Sequence, residues 1–412
     1  MIKAVHLLLC LSISCSLYSQ ATTQPSRHPN VRAITAFVRV DATNYKAELD
    51  DSFRFLKAAK QAYTAAGWTV QTVRVTTQPF PEYTNGMSKP DAVQLLMAID
   101  AYCGQADVSL KIGPAVMRNG DSLTSLDVLG EVLLHAKANA SALVATEEGI
   151  NWPAIQATAH MLKYVSEKSP HSQGTFNFAM TAMMKPETPF YRGSYHTGRG
   201  KEFAVGVEGA GLVAEAFGRT GNEPDLAKQT LHDVLTRELT QVETVAQSVA
   251  ASSGWGYVGI DSTPAPLMDV SIGAAIEKFT GKPFGSSGTM TAAAIITSAQ
   301  KDLPIKQVGY AGLMLPVLED KDIAKRWSEG RLTIDMLLAY SAVCATGLDT
   351  VPLPGDVTEE QLARIYGDVA SLAFKWKKQL TARLQPVQGR HPGQMSDFDD
   401  PYLVNTKLMA LP

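Results

Sequence analysis

The chain has 412 residues, 45% hydrophobic and 19% charged, with a formal net charge of −3. Acids and bases are mixed along it, without a basic block or an aromatic-basic stripe, which argues against nucleic acid as a partner. This is globular composition, enough for one large core or two ordinary ones.

The N-terminus is set apart. Lys3 precedes the short apolar run "AVHLLLCLSIS", and small residues stand at Ser19 and Ala21. A basic start, an apolar stretch too short for a comfortable span and small residues near its end describe an export signal over residues 1–21, cleaved after Ala21. Lipid anchoring through Cys15 is the alternative, though Ser12-Ile13-Ser14 lacks the usual aliphatic residue before it. Beyond the signal no apolar run is long enough to span a membrane. Cys10 and Cys15 fall inside it, so the mature chain keeps Cys103 and Cys344, too few for a disulfide framework.

The mature chain, residues 22–412, opens on a polar linker and then the strand "VRAITAFVRVD". Helix follows over 46–67, strand over 68–80, helix over 90–105, a strand-like run over 108–116, and helix over 125–138. "ALVATE" reads as strand and 152–169 as helix, with Pro153 suited to its first turn. "TFNFAMTAMM" and "EFAVGVEG" are strands, and a long amphipathic helix runs from about Asp225 to Ser252. "WGYVGID" is strand. Helices are predicted over 270–281, after the loop at 285–289, over 334–347 and over 358–384. The alternation predicts an α/β protein with its strands covered by helices. No composition break or internal repeat divides 22–412, which reads as one domain.

Several turns carry residues fit for chemistry. Gly209-x-Gly211-x-x-Ala214 superficially resembles a dinucleotide fingerprint, but a long helix follows where a second acidic strand end is needed, so close helix packing is the better reading. Gly285, Ser286, Ser287, Gly288 and Thr289 precede an alanine-rich helix. They either bind an anion through backbone N–H groups or simply cap that helix. Asp261, Ser262 and Thr263 leave a strand end, where α/β proteins place their sites, or else form a polar turn.

Glu319, Asp320 and Asp349 suit a hard cation such as calcium or magnesium, and no other cofactor is assigned. Carboxylates before a helix also serve its dipole. No histidine pair has zinc spacing. His196, on a glycine-rich loop with Arg192 and Arg199, is either a general acid-base or a surface histidine. No Gly-x-Ser-x-Gly elbow supports a common serine hydrolase. Cys344, near a helix C-terminus, is read as packing, as lining a site or as half of a disulfide.

Seven segments occur together and in order: "VRAIT", "GTFNFAMTAMMKPETPFYRGSYH", "FAVGVEGAGLVAEAF", "GIDSTPAPLMDVSIG", "FGSSGTMTAAA", "VGYAGLMLPVLED" and "AVCATGLDTVPLPGD". In this the chain resembles the domain of unknown function 711 family, related to uncharacterised protein family 0210, over nearly the whole mature chain. The resemblance implies a ten-stranded α/β barrel similar to pyruvate formate-lyase and ribonucleotide reductase, helices outside and a hairpin loop inside. The family brings no settled activity. It implies that Asp261, Ser262, His196, Gly288, Thr289, Glu319, Asp320, Cys344 and Asp349 occupy family positions. Glycyl-radical chemistry is not expected: Gln307-Val308-Gly309-Tyr310 lacks the arginine and hydroxyl residue of the radical motif, and it lies a hundred residues from the C-terminus.

The expectation is an exported enzyme, a hydrolase or non-redox lyase, acting on a small anionic substrate. Asp261, Ser262, His196 and Cys344 would form the catalytic group, and Thr263 with the loop Gly285–Thr289 would hold the substrate. A non-catalytic small-molecule-binding protein outside the cytoplasm is the alternative. No nucleic acid or membrane partner is expected after signal removal, and a homo-oligomer is left open.

Overall fold

A computed structural model describes residues 28–344 and 346–411. The expected export signal over residues 1–21, with Cys10 and Cys15, lies outside them. The protein is a mixed α/β fold with two five-stranded sheets. The first sheet has the order β3-β2-β1-β7-β8, with β1 Val31–Val38, β2 Val70–Pro79, β3 Ser109–Gly113, β7 Glu202–Val207 and β8 Gly256–Asp261. The second has the order β5-β4-β6-β10-β9, with β4 Ala140–Thr146, β5 Gly149–Ile150, β6 Phe178–Ala182, β9 Gly347–Pro354 and β10 Leu380–Val387.

β1, β2 and β3 run parallel, and β7 and β8 run against them. In the second sheet β4 and β6 are parallel, and β9 and β10 run against them. Strands of both sheets are buried almost throughout, which is why they read as near-continuous apolar runs.

Helices cover the outer faces. α1 (Tyr45–Ala65), α2 (Lys89–Gln105) and α3 (Thr124–His135) follow the first three strands, and α4 (Trp152–Lys168) follows β5. α5 (Ala210–Thr220) and the long α6 (Pro224–Ser253) come next, then α7 (Ile272–Thr280), α8 (Thr289–Ala299), α9 (Lys321–Ser328), α10 (Ile334–Val343) and α11 (Glu359–Trp376). Local chemistry starts them: Asn151 caps α4 by accepting from the Ala154 N–H at 3.0 Å, and Thr358 with Gln361 forms a capping box on α11.

Two strands depart from the sequence reading. The helix predicted over 358–384 ends at Trp376, where Lys377 takes a left-handed turn, and β10 begins at Leu380. No glycine marks that stop, so helical spacing ran on past it. β9 holds Pro352 and Pro354 and reads as a turn; it is the edge strand of its sheet, where proline is tolerated.

Candidate functional site: an arginine-lined interior cavity

The segment between β6 and β7 threads the space between the sheets. Thr188, Arg192, Ser194 and His196 on it are all buried. The Pro189 carbonyl accepts from Thr35 Oγ1 of β1 at 2.9 Å and from Arg74 of β2 at 3.4 Å. Ser194 Oγ shares a 2.9 Å hydrogen bond with Thr76, and the Arg192 carbonyl accepts from Lys111 Nζ of β3 at 3.0 Å. Gly193 is glycine for space, since a Cβ there would come within 2.6 Å of both Met184 and the Tyr310 hydroxyl.

Beside this segment lies a cavity of about 60 Å³. A water's share of liquid volume is about 30 Å³, so the space suits a ligand of a few heavy atoms. Four guanidinium groups line it, from Arg32 on β1, Arg74 on β2, Arg192 on the inner segment and Arg383 on β10. Glu319 and Asp349 line it with them. Tyr310, Thr346 and Thr381 add hydroxyls.

Arg383 bridges the two acids, Nη2 to Glu319 and Nε to Asp349. A bulge makes this geometry: Ala382 and Leu384 pair with Leu348 and Val351, so β9 holds one extra residue, and Thr350 takes φ +43°. Arg192 donates to the Phe176 carbonyl and stacks over the Phe176 ring at 4.1 Å. Burial pushes the Glu319 carboxyl up, but the Arg383, Arg192 and Arg32 guanidiniums outweigh it and hold the carboxyl below its ordinary range. Burial drives Lys111 well below the usual lysine range, helped by the Arg192 charge.

The sequence-predicted residues are not gathered at this cavity, apart from Glu319 and Asp349. Register separates Asp261 from His196. Asp261 pairs through Gly206 with Ala33, whereas His196 Nε2 bonds the Val38 carbonyl at 2.5 Å. Five residues of strand lie between those levels, about 16 Å. His196 is fully buried, so the surface-loop reading does not hold; burial lowers its pKa, and the neutral ring is the stable form. Its neighbour Thr197 borders a separate cleft of about 710 Å³ at the ends of β2, β3 and β4, lined by Glu82, Asp121, Glu147 and Glu148 with Arg118.

Asp261 is committed to the scaffold. It accepts from the Tyr310 N–H at 2.8 Å, the Thr263 N–H at 3.0 Å, the Ala311 N–H at 3.2 Å and the Thr263 hydroxyl at 2.6 Å. Burial raises its pKa, and these donors oppose the rise. Ser262 Oγ donates to Gln300 at 2.9 Å, and Thr263 Oγ1 accepts from the Gly312 N–H at 3.1 Å. The turn therefore clamps residues 309–312 against the end of β8. Gly309 must be glycine: its φ is +74°, and a Cβ would sit 2.1 Å from Asp261 Oδ2.

The loop Gly285–Thr289 is outside, where α8 packs on α6, α7 and α10. It satisfies itself, with the Gly285 N–H donating to Thr289 Oγ1 and the Thr289 N–H to the Ser286 carbonyl, both at 3.1 Å. Ser286, Ser287 and Gly288 are partly or fully exposed and line no cavity with the arginines. Gly288 is the N-cap of α8, and no side chain of the loop caps that helix, so side-chain capping is not realised.

The proposed cation set does not assemble. Among the described residues no group of three or more His, Cys, Asp or Glu side chains is placed to hold a metal ion. Asp320 turns away from Glu319 and accepts from five donors: Ser271 Oγ and the N–H groups of Ile272, Gly273, Asp322 and Ile323. One carboxylate thus joins the starts of α7 and α9. Cys344 is the buried C-cap of α10, its thiol pKa raised by burial, and both Cys103 and Cys344 are free thiols.

Sequence reasoning missed Arg32, Arg74, Lys111 and Arg383. The signal was present: each is the lone cation in an otherwise apolar or hydroxyl-rich strand.

Residues 25–399 match the family described as "Uncharacterised ACR (DUF711)". A UPF0210 protein of Pyrobaculum arsenaticum is 31% identical, across 92% of this chain and 86% of the relative. The chain belongs to this family. A UPF0210 protein of Bifidobacterium longum subsp. infantis is 26% identical across 75% of this chain and 72% of its own length. Another, from Listeria monocytogenes, is 25% identical across 79% and 76%. Among the described residues of this DUF711 chain, no helix is long and apolar enough to cross a membrane.

Proposed function

We propose that this chain takes a small anion into the arginine-lined cavity and acts on it as a hydrolase or non-redox lyase, without glycyl-radical chemistry. The convergence of four guanidinium groups on one cavity carries the reading, because a guanidinium's fork of donors matches the oxygens of a carboxylate or phosphate. Glu319, held as an anion, and Asp349 are the carboxylates lining the cavity, and the Tyr310 hydroxyl is a neutral donor.

The reading includes a finer fold: a ten-stranded barrel resembling pyruvate formate-lyase and ribonucleotide reductase, with the segment carrying Arg192 as its inner loop. Three bridges at two seams support it. Lys111 bridges Asn139 in parallel, joining β3 to β4, while Gln307 bridges Ile260 and Pro316 bridges Asp349, joining 307–317 to β8 and β9. The loop between β6 and β7 contains no cysteine, so no thiol stands where the radical enzymes keep theirs. Export is part of the proposal, supported by the residue pattern at 1–21 and by a family match that starts at residue 25.

A non-catalytic binding protein is the second reading, favoured by the full engagement of Asp261 and Ser262 with protein partners. Thermal denaturation with acetate, oxalate and phosphate, each at millimolar concentration, tests the common core. An anion at 100 times its Kd stabilises by about 2.7 kcal/mol, and Arg192→Met abolishes the effect. Melting points unmoved by every small anion refute the reading. Consumption of the stabilising anion, followed by NMR, then separates enzyme from binder.

A further inference from the structure

The cavity's arginines leave part of the interior polarity unexplained. Ser141 on β4 and Gln385 on β10 are fully buried, and Asn139, just before β4, is 6% exposed. Asn139 Oδ1, Ser141 Oγ and both side-chain atoms Oε1 and Nε2 of Gln385 have no hydrogen-bond partner among the described residues. Native proteins rarely leave buried amides so.

All three face the interior. Thr381 and Arg383 line the cavity, and Gln385 is next on that face of β10, since side chains alternate along a strand. The β9–β10 irregularity puts its extra residue on β9 and leaves β10 regular. Leu143 clusters with Phe190 and Tyr310 inside, and Ser141 and Asn139 share its face. Ser141 pairs with Ala179, and the β6–β10 register carried one residue further sets Ala179 beside Arg383. At the other seam Asn139 pairs with Lys111, which holds the Arg192 carbonyl. The strip therefore runs between Arg383, which lines the cavity, and Lys111, which holds the Arg192 carbonyl.

We infer that this strip is the second half of the ligand site and that the ligand is a small hydroxylated carboxylate. Its carboxylate meets the guanidinium groups, and its hydroxyls meet Asn139, Ser141 and Gln385. The chemistry follows from the orphan atoms: two are amide oxygens that only accept, so the ligand must bring donors. A hydroxyl donates to Asn139 Oδ1 or Gln385 Oε1 and accepts from Gln385 Nε2.

This rests on the anion reading, and the test separates the two. Calorimetric titration of the purified protein uses propionate, lactate and glycerate, which share three carbons and differ in hydroxyl count. Glycerate is expected to bind about tenfold or more tightly than propionate, because a site built for hydroxyls rejects the analogue lacking them. Gln385→Met and Ser141→Ala are expected to shrink that ratio toward one while propionate affinity holds. Ser141→Ala removes one oxygen, and its melting curve reports folding. Equal affinity for propionate and glycerate in the wild type, or an unchanged ratio in both variants, overturns the inference and leaves the anion reading standing. Binding of none of the three, together with no stabilisation by acetate, oxalate or phosphate, overturns both.

Discussion

Replacing Arg383 by Met removes the cation that joins Glu319 and Asp349, with side chains only 6%, 9% and 12% exposed. Water cannot replace the guanidinium at that depth, so two carboxylates are left buried side by side. Breaking a buried ion pair from one side costs about 3–5 kcal/mol. Unfolding entropy of roughly 2.1 cal/mol/K per residue gives about 0.8 kcal/mol/K for a chain of this size, so Tm falls by about 4–6 °C. The triple variant R383M/E319Q/D349N should recover only part of that loss, because Arg192 and Arg32 then lose the Glu319 charge that acts on them. Acid sensitivity changes with it. Glu319 titrates below its ordinary value, so its stabilisation is full above the unfolded carboxyl's pKa and is lost as pH falls through the folded one. E319Q should therefore flatten the acid limb of the stability profile. Differential scanning calorimetry between pH 3 and 7 measures both effects. A neutral R383M would show that the three groups are not a buried charge network.

Asp261→Ala leaves the N–H groups of Thr263, Tyr310 and Ala311 without their acceptor, a loss of about 3–5 kcal/mol after partial relaxation, measured by urea denaturation. A variant within 1 kcal/mol of wild type would return Asp261 to the list of residues kept for chemistry rather than folding. Burial pushes the Cys103 thiol up to about 12 and raises Cys344 as well. Neither should react with a thiol-specific reagent in native protein at pH 8, and both should react in denaturant; rapid native labelling of Cys344 would contradict its packing role.

Much of the fold was legible because its strands are buried on both faces and its helices carry apolar stripes. β10 was hidden because α11 ends on Lys377, a residue that gives no stop signal, and because "LTARL" continues the preceding helical spacing. The site was legible only in fragments. Asp261, Ser262 and Asp320 stood out as polar residues at element ends, and the structure gives each to hydrogen bonds that hold turns and helix starts. Arg32, Arg74 and Arg383 looked like ordinary strand cations. Their convergence depends on which two sheets face each other, and a strand's own sequence does not carry that.

The glycine at 309 joins these strands of argument. Its neighbourhood, Gln-Val-Gly-Tyr, invites comparison with a radical-bearing glycine, yet its conformation has a steric cause close by. The Asp261 carboxylate takes the N–H groups just after it, and the Thr188 hydroxyl stands 2.7 Å from where a Cβ would be. Only glycine lets the 307–312 segment press on the end of β8 while Tyr310 turns its hydroxyl toward Thr381 and Gly193. Gly309 therefore fixes Tyr310, and Tyr310 in turn limits how near the Arg192-bearing segment can approach β10. A glycine needed for packing at that point shapes the cavity.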